Sequence, residues 1–143
     1  MNDLCADIGY RSINHAGEQL CGDHLDVIEQ EDGGIVIVLA DGLGSGVKAS
    51  ILSTLTSKII STMIAQGLSI EECVETIAAT LPVVKEHGVA FSTFTILRLR
   101  RNDTAELFQY ENPLAVVIRN DESIEYPCIR QDVKRKDRQH RSC

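Results

Sequence analysis

The sequence has no long apolar run, so no segment of it is fitted to span a membrane. Its opening residues, Met1-Asn-Asp-Leu-Cys5, lack a basic stretch, so they do not read as a signal peptide. No C-x-x-C pair occurs, and the five cysteines are odd in number. That pattern predicts free thiols in a reducing cytoplasm, with Cys5, Cys21 and Cys73 as buried packing residues. No internal repeat and no low-complexity tract is present. None of the four histidines stands four residues from another ligand type on a helix.

What is there fits one small domain of 143 residues, 43% hydrophobic and 24% charged. The net charge of −7 hides an asymmetry. Residues 1–129 carry net −11, and residues 130–143 carry net +4. An acidic body argues against nucleic acid as a partner. The basic end, with Lys134-Arg-Lys-Asp-Arg138, reads as a solvated, frayed tail rather than an anion-binding patch.

The chain is organised around Ile35-Val-Ile-Val-Leu-Ala-Asp41-Gly-Leu-Gly-Ser-Gly-Val-Lys-Ala49. Ile35 to Leu39 are an unbroken aliphatic run opened by Gly33 and Gly34, the pattern of a strand buried on both faces. Asp41 stands at its end. Gly42, Gly44 and Gly46 follow on alternate positions and permit left-handed angles or close approach. Ser45 is placed to cap a helix over about 46–66, with Val47, Ile51, Leu52, Leu55, Ile59 and Met63 as its apolar face and Gly67 as its stop. The glycines do not fit a phosphate-binding P-loop, because Val47 precedes Lys48 and Ala49 follows it. Their G-x-G-x-G spacing also misses the dinucleotide fingerprint. A metal-binding aspartate, with the Gly42 carbonyl beside it, remains against the plainer role of a turn cap.

Asp23 decides between these. It opens a second strand, 25–30, and Glu31-Asp-Gly-Gly34 is a hairpin signal that brings residue 23 close to residue 41. Two carboxylates at neighbouring strand ends need either a proton or a cation between them. His24, next in sequence, could face that site or pack against a strand. Lys48 reads as a solvated helix residue.

Around this centre the pattern predicts a first strand over 4–14 and a turn at 16–18. Ser69-Ile-Glu-Glu72 is a capping box for a helix with Ile70, Val74, Ile77, Ala78 and Leu81 inward and Pro82 at its end. The Ser and Thr residues of the 46–66 helix read as a small face for close packing on a sheet. Residues 91–100 alternate as a central strand. A turn at 102–104, a strand over 105–110, a turn at Asn112-Pro113, and strands over 114–119 and 124–126 complete a meander.

Gly22-Asp23, the strand after it, and Ala40-Asp-Gly-Leu-Gly-Ser-Gly-Val-Lys-Ala49 resemble the metal-dependent protein phosphatases of type 2C, in their SpoIIE-like bacterial branch. The resemblance covers most of residues 3–119. It implies an α+β fold, an antiparallel β-sandwich core with flanking helices. It also implies a phosphoserine or phosphothreonine phosphatase using two Mn2+ or Mg2+ ions, with a phosphorylated protein, such as an anti-sigma-factor antagonist, as substrate. By the same resemblance Asp41 bridges the two ions as the catalytic ligand, Asp23 holds one of them, and Gly42 lends its carbonyl. Two further aspartates of the family, in Asp-Gly and Gly-Asp-Asp motifs, have no counterpart, since Asp103, Asp121, Asp132 and Asp137 have no glycine neighbour. Residues 1–129 are therefore expected to form a partial phosphatase domain, inactive alone and prone to pair through exposed strand edges. A non-catalytic phosphatase-like module that binds a partner protein is the alternative.

Overall fold

The computed structural model describes residues 6–14, 16–17, 19–42, 46–80, 92–101, 104–129, 131–135 and 138–142. The fold is α+β. Strands β1 (Asp23–Glu29) and β2 (Ile35–Gly42) form a hairpin, followed by helices α1 (Gly46–Ala65) and α2 (Ile70–Thr80). Strands β3 (Ser92–Leu99), β4 (Ala105–Tyr110), β5 (Val117–Arg119), β6 (Glu122–Ile124), β7 (Gln131–Arg135) and β8 (Arg138–Ser142) complete the chain. A six-stranded antiparallel sheet runs β1-β2-β3-β4-β8-β7, and β5-β6 is a separate two-stranded ribbon.

The aliphatic run forms β2, with both neighbours paired. Val36, Val38 and Ala40 point to the helices and are fully buried, with Phe94, Ile96 and Tyr110 beside them. Phe94 and Tyr110 stack with ring centroids 5.2 Å apart. From above, Ile60 and Ile64 of α1 and Ile70, Cys73 and Ile77 of α2 close this core. The opposite face carries Leu25, Val27, Ile35, Ile37, Leu39 and Leu97, partly exposed and continuous in the register. One layer of the expected sandwich is thus formed, covered by helices on one side.

Helix α1 does not bury the face its apolar residues predict. Val47, Ile51 and Leu55 are 62%, 59% and 47% exposed, while Ala49, Ser53, Thr56 and Ser57 are buried. Small side chains let the helix axis sit close to the sheet, which bulky aliphatics at those positions would prevent. The buried hydroxyls keep partners: Ser53 Oγ donates to Ser50 O at 3.1 Å and Thr56 Oγ1 to Leu52 O at 2.8 Å. Ser57 Oγ instead donates to Asp26 Oδ2 of β1 at 2.6 Å, and Lys58 Nζ donates to Asp26 Oδ1 at 3.0 Å. These two bonds fix the helix on the hairpin.

The stop signals act as expected. Gly67 takes φ 85°, its N–H bonds Ile64 O at 3.0 Å, and Leu68 N–H bonds Met63 O at 3.1 Å. That double closure needs a left-handed residue. The capping box is reciprocal, Glu72 N to Ser69 Oγ at 3.1 Å and Ser69 N to Glu72 Oε2 at 2.8 Å.

Five expectations change, one of them the strand expected over 124–126, which runs Glu122–Ile124 instead. Residues 6–14 form no strand; loose alternation there has no pairing partner to act on. The strand expected over 114–119 is confined to Val117–Arg119. Ala115 N–H is taken by Gln109 Oε1 at 2.7 Å and Ala115 O by Tyr126 OH at 2.7 Å, so side chains replace a ladder there. Asn120 and Asp121, at φ 53° and 62°, then make the two-residue turn of the β5-β6 ribbon. The basic end, expected to fray, forms the β7-β8 hairpin, joined to β4 at Tyr110↔Ser142. Cys21 and Cys73 are free thiols, but Cys128 is disulfide-bonded. No C-x-x-C spacing announces this bridge, and it removes free thiols as a ground for a reducing compartment. Among the described residues no helix is long and apolar enough to cross a membrane. The Leu43-Gly44-Ser45 turn and cap, the Pro82 helix end and the tip at 102–103 lie outside the described residues.

Candidate active site

The hairpin register sets the site. Gln30 N–H bonds Gly34 O at 2.8 Å, Gly33 N–H bonds Gln30 O at 2.9 Å, and Asp32 Oδ1 accepts Gly34 N–H at 2.8 Å. Counting back from that turn pairs Asp23 with Asp41 directly, and β3 then places Thr93 opposite Asp41. Residues opposite one another in antiparallel strands share a face. Asp23, Asp41 and Thr93 therefore form one row across three strands, on the face away from the helices.

Burial, and then the hydrogen bond and negative charge of Asp23, push the Asp41 carboxyl up to about 6. Asp41 is half-buried at the strand end and Asp23 is exposed. A cleft of about 240 Å³ opens beside them, lined by Asp23, Asp41, Leu39, Thr95, Asn112 and Pro113. No Lys or Arg is among these lining residues. Such a pair can share a proton or a divalent cation, and either relieves the repulsion.

Gly42 is buried and points toward α1. A Cβ there would lie 2.7 Å from the Gly22 carbonyl oxygen and 2.7 Å from the Ala49 carbonyl carbon, both backbone atoms. Its N–H donates to Gly22 O at 3.0 Å, extending the hairpin by one bond. Only glycine lets the first turn of α1 rest on the strand end that carries Asp41.

His24 belongs to the other face. Its Nδ1 lies 3.5 Å from Thr54 Oγ1 and its Nε2 lies 3.5 Å from Asp26 Oδ2, so it packs under α1. Lys48 is exposed on the helix, as expected. Sequence reasoning missed Thr93, Thr95 and Asn112. Asn112 was visible only as half of an Asn-Pro turn. The parity of Thr93 and Thr95 with Asp41 along β3 was the available signal, once the strands were aligned. No group of three or more His, Cys, Asp or Glu side chains placed to hold a metal occurs among the described residues.

The family model for Stage II sporulation protein E (SpoIIE) matches residues 31–133. The chain belongs to the SpoIIE family. Solved structures agree at the level of fold. The PP2C phosphatase domain of SpoIIE from Bacillus subtilis, with a fragment of its regulatory domain, aligns over 92% of this chain, with a TM-score of 0.72 and 15% identity. RsbX in complex with magnesium aligns over 71%, with a TM-score of 0.56 and 20% identity. The SpoIIE phosphatase domain from Bacillus subtilis in a crystal form without domain swapping aligns over 83%, with a TM-score of 0.53 and 16% identity. The SpoIIE-family chain spans 39%, 48% and 51% of those three solved chains. No curated protein sequence matches it.

Proposed function

We infer that this chain carries the first part of the metal site of a protein serine/threonine phosphatase. The observation behind this reading is the cross-strand pair Asp23–Asp41, two carboxylates facing one cleft with no cationic side chain among its described lining residues. Oxygen donors of this kind suit Mg2+ or Mn2+. Asp41, on the inner strand, would hold the ion together with Asp23 and the Gly42 carbonyl, which is what this part of the chain offers. The pair fits one hard cation. It does not make a two-ion site by itself, because the described residues bring no third carboxylate to it.

When bound, the ions supply an activated water and positive charge for the phosphoryl oxygens. The chain's own contribution is rigidity. Asp41 sits on a strand paired on both sides, and Gly42 lets α1 pack against that strand end. With its carboxyl ionising at about 6, Asp41 is ready to bind a cation at neutral pH. The substrate is a phosphorylated protein, of the anti-sigma-factor-antagonist kind, and the 143-residue chain alone turns it over little or not at all.

The test is manganese-dependent hydrolysis of a phosphoserine peptide by this chain and by the full product of its reading frame. Turnover is expected from the full product and abolished by Asp41→Asn in a folded protein. Undiminished turnover in that variant would remove Asp41 from the metal site. Vigorous turnover by the 143 residues would end the reading of an incomplete site.

A further inference from the structure

The cleft has a second wall, opposite in character to the acid pair. Asn112 follows β4 in the turn where Glu111 takes φ 56°. Its Oδ1 accepts from Thr93 Oγ1, and its Nδ2 donates to Thr95 Oγ1 at 2.9 Å. The amide is thereby clipped to β3, the strand next to that of Asp41. Its oxygen is engaged and one of its two N–H groups is used, which leaves the other N–H. Thr95, which accepts from Asn112, still has its own hydroxyl hydrogen to give. Both residues line the cleft, so this wall offers an occupant donors, across from carboxylates that offer only acceptors.

We propose that Asn112 and Thr95 form a subsite for a phosphoryl oxygen, facing the cation held by Asp23 and Asp41. The proposal rests on the metal-site reading above and adds the surface on which the substrate's phosphoryl group is oriented. Size agrees. A cleft of about 240 Å³ is below the ~300–1,000 Å³ usual for larger ligands, and it suits a phosphoryl group with the side chain bearing it. Charge agrees as well. The donors are neutral and no Lys or Arg is among the described lining residues, so a dianion enters only when a divalent cation offsets the two aspartates. Leu39 and Pro113 supply the apolar lining that the carbon atoms of a phosphoserine or phosphothreonine side chain would meet.

The experiment is a 1H–15N NMR titration of the chain with Mg2+, followed by inorganic phosphate in one arm and a phosphoserine peptide in the other. Mg2+ alone should shift the backbone amides of Asp23, Asp41 and Gly42. Either phosphate source should then shift the Asn112 side-chain amide, and only with Mg2+ present. Asn112→Ala should weaken phosphate binding roughly three- to tenfold, the loss of one neutral hydrogen bond, with Mg2+ affinity unchanged. Thr95→Val, which keeps the shape and removes only the hydroxyl, should do the same even if Asn112→Ala fails to fold. Binding of the peptide without inorganic phosphate would place the recognition on the peptide and overturn the subsite. So would phosphate binding without Mg2+, phosphate binding indifferent to both variants, a Mg2+ response with no phosphate response, or loss of Mg2+ affinity in either variant. No response to Mg2+ at all would instead overturn the cation reading, and the subsite with it.

Discussion

Asp26 and Asp41 stand on adjacent strands of one hairpin, yet on opposite faces of the sheet, and their surroundings are opposite too. Asp26 faces α1. Burial alone would raise its carboxyl, but the bonds from Ser57 and Lys58, with the positive charge of Lys58 and His24, outweigh burial and hold it below its ordinary 3.8. Asp41 faces the open side, where burial and Asp23 drive it from 3.8 to about 6. The first carboxylate is satisfied within the chain and holds a helix. The second is left with a repulsion that no described residue relieves, the contrast expected between a ligand site and a structural one.

Gly42 lies between the two faces, and changing it should have the largest effect. Gly42→Ala puts a methyl against the backbone of Gly22 and Ala49, at a cost of about 3 kcal/mol or more. Chemical denaturation measures this. A variant as stable as the parent would mean that α1 does not rest on the strand end.

Next comes the satisfied carboxylate. Asp26→Asn should destabilise by about 2 kcal/mol at pH 7, since charge-assisted bonds to Ser57 and Lys58 are weakened. Its folded pKa is depressed, so the stabilisation is present above the unfolded value of 3.8 and lost as pH falls through the lower folded value. The deficit of the variant should therefore shrink only below about pH 4.

Asp41→Asn should have the smaller effect and the other sign. In the folded state Asp41 holds its proton up to about 6, against 3.8 unfolded. Stability therefore falls as pH rises between those values, and the penalty is complete above about 6. Metal-free Asp41→Asn should be more stable than the parent at pH 7, by about 1 kcal/mol once solvent screening of a partly exposed site is allowed for. The gain should fade toward pH 4. Thermal melts across this range would show it, and a destabilised variant would mean that Asp41 is held by bonds like those of Asp26.

Much of this contrast was legible in the sequence. The hairpin signal at 31–34 and the parity of β2 are enough to bring Asp23 and Asp41 together. The capping box at Ser69 and the stop at Gly67 were equally plain, because their chemistry is local. For α1 two cues conflicted: hydrophobicity pointed to Val47, Ile51 and Leu55, while the small Ser and Thr face read for close packing on a sheet is the one that is buried, at Ser53, Thr56 and Ser57. Asn112 was illegible. Its role depends on two threonines 17 and 19 residues away, which only the β3–β4 pairing brings within reach. The disulfide at Cys128 and the basic hairpin at 131–142 had no apolar periodicity to announce them, the hairpin being a short-range pairing of mostly polar residues.

Whether Asp23 and Asp41 form a divalent-cation site is decided by melting the parent and Asp41→Asn at pH 7 with and without millimolar Mg2+. A cation that binds only the folded state stabilises it by mass action. The parent should melt higher with Mg2+, and Asp41→Asn should melt at the same temperature with and without it. An equal rise in both proteins, or no rise in the parent, would contradict the account.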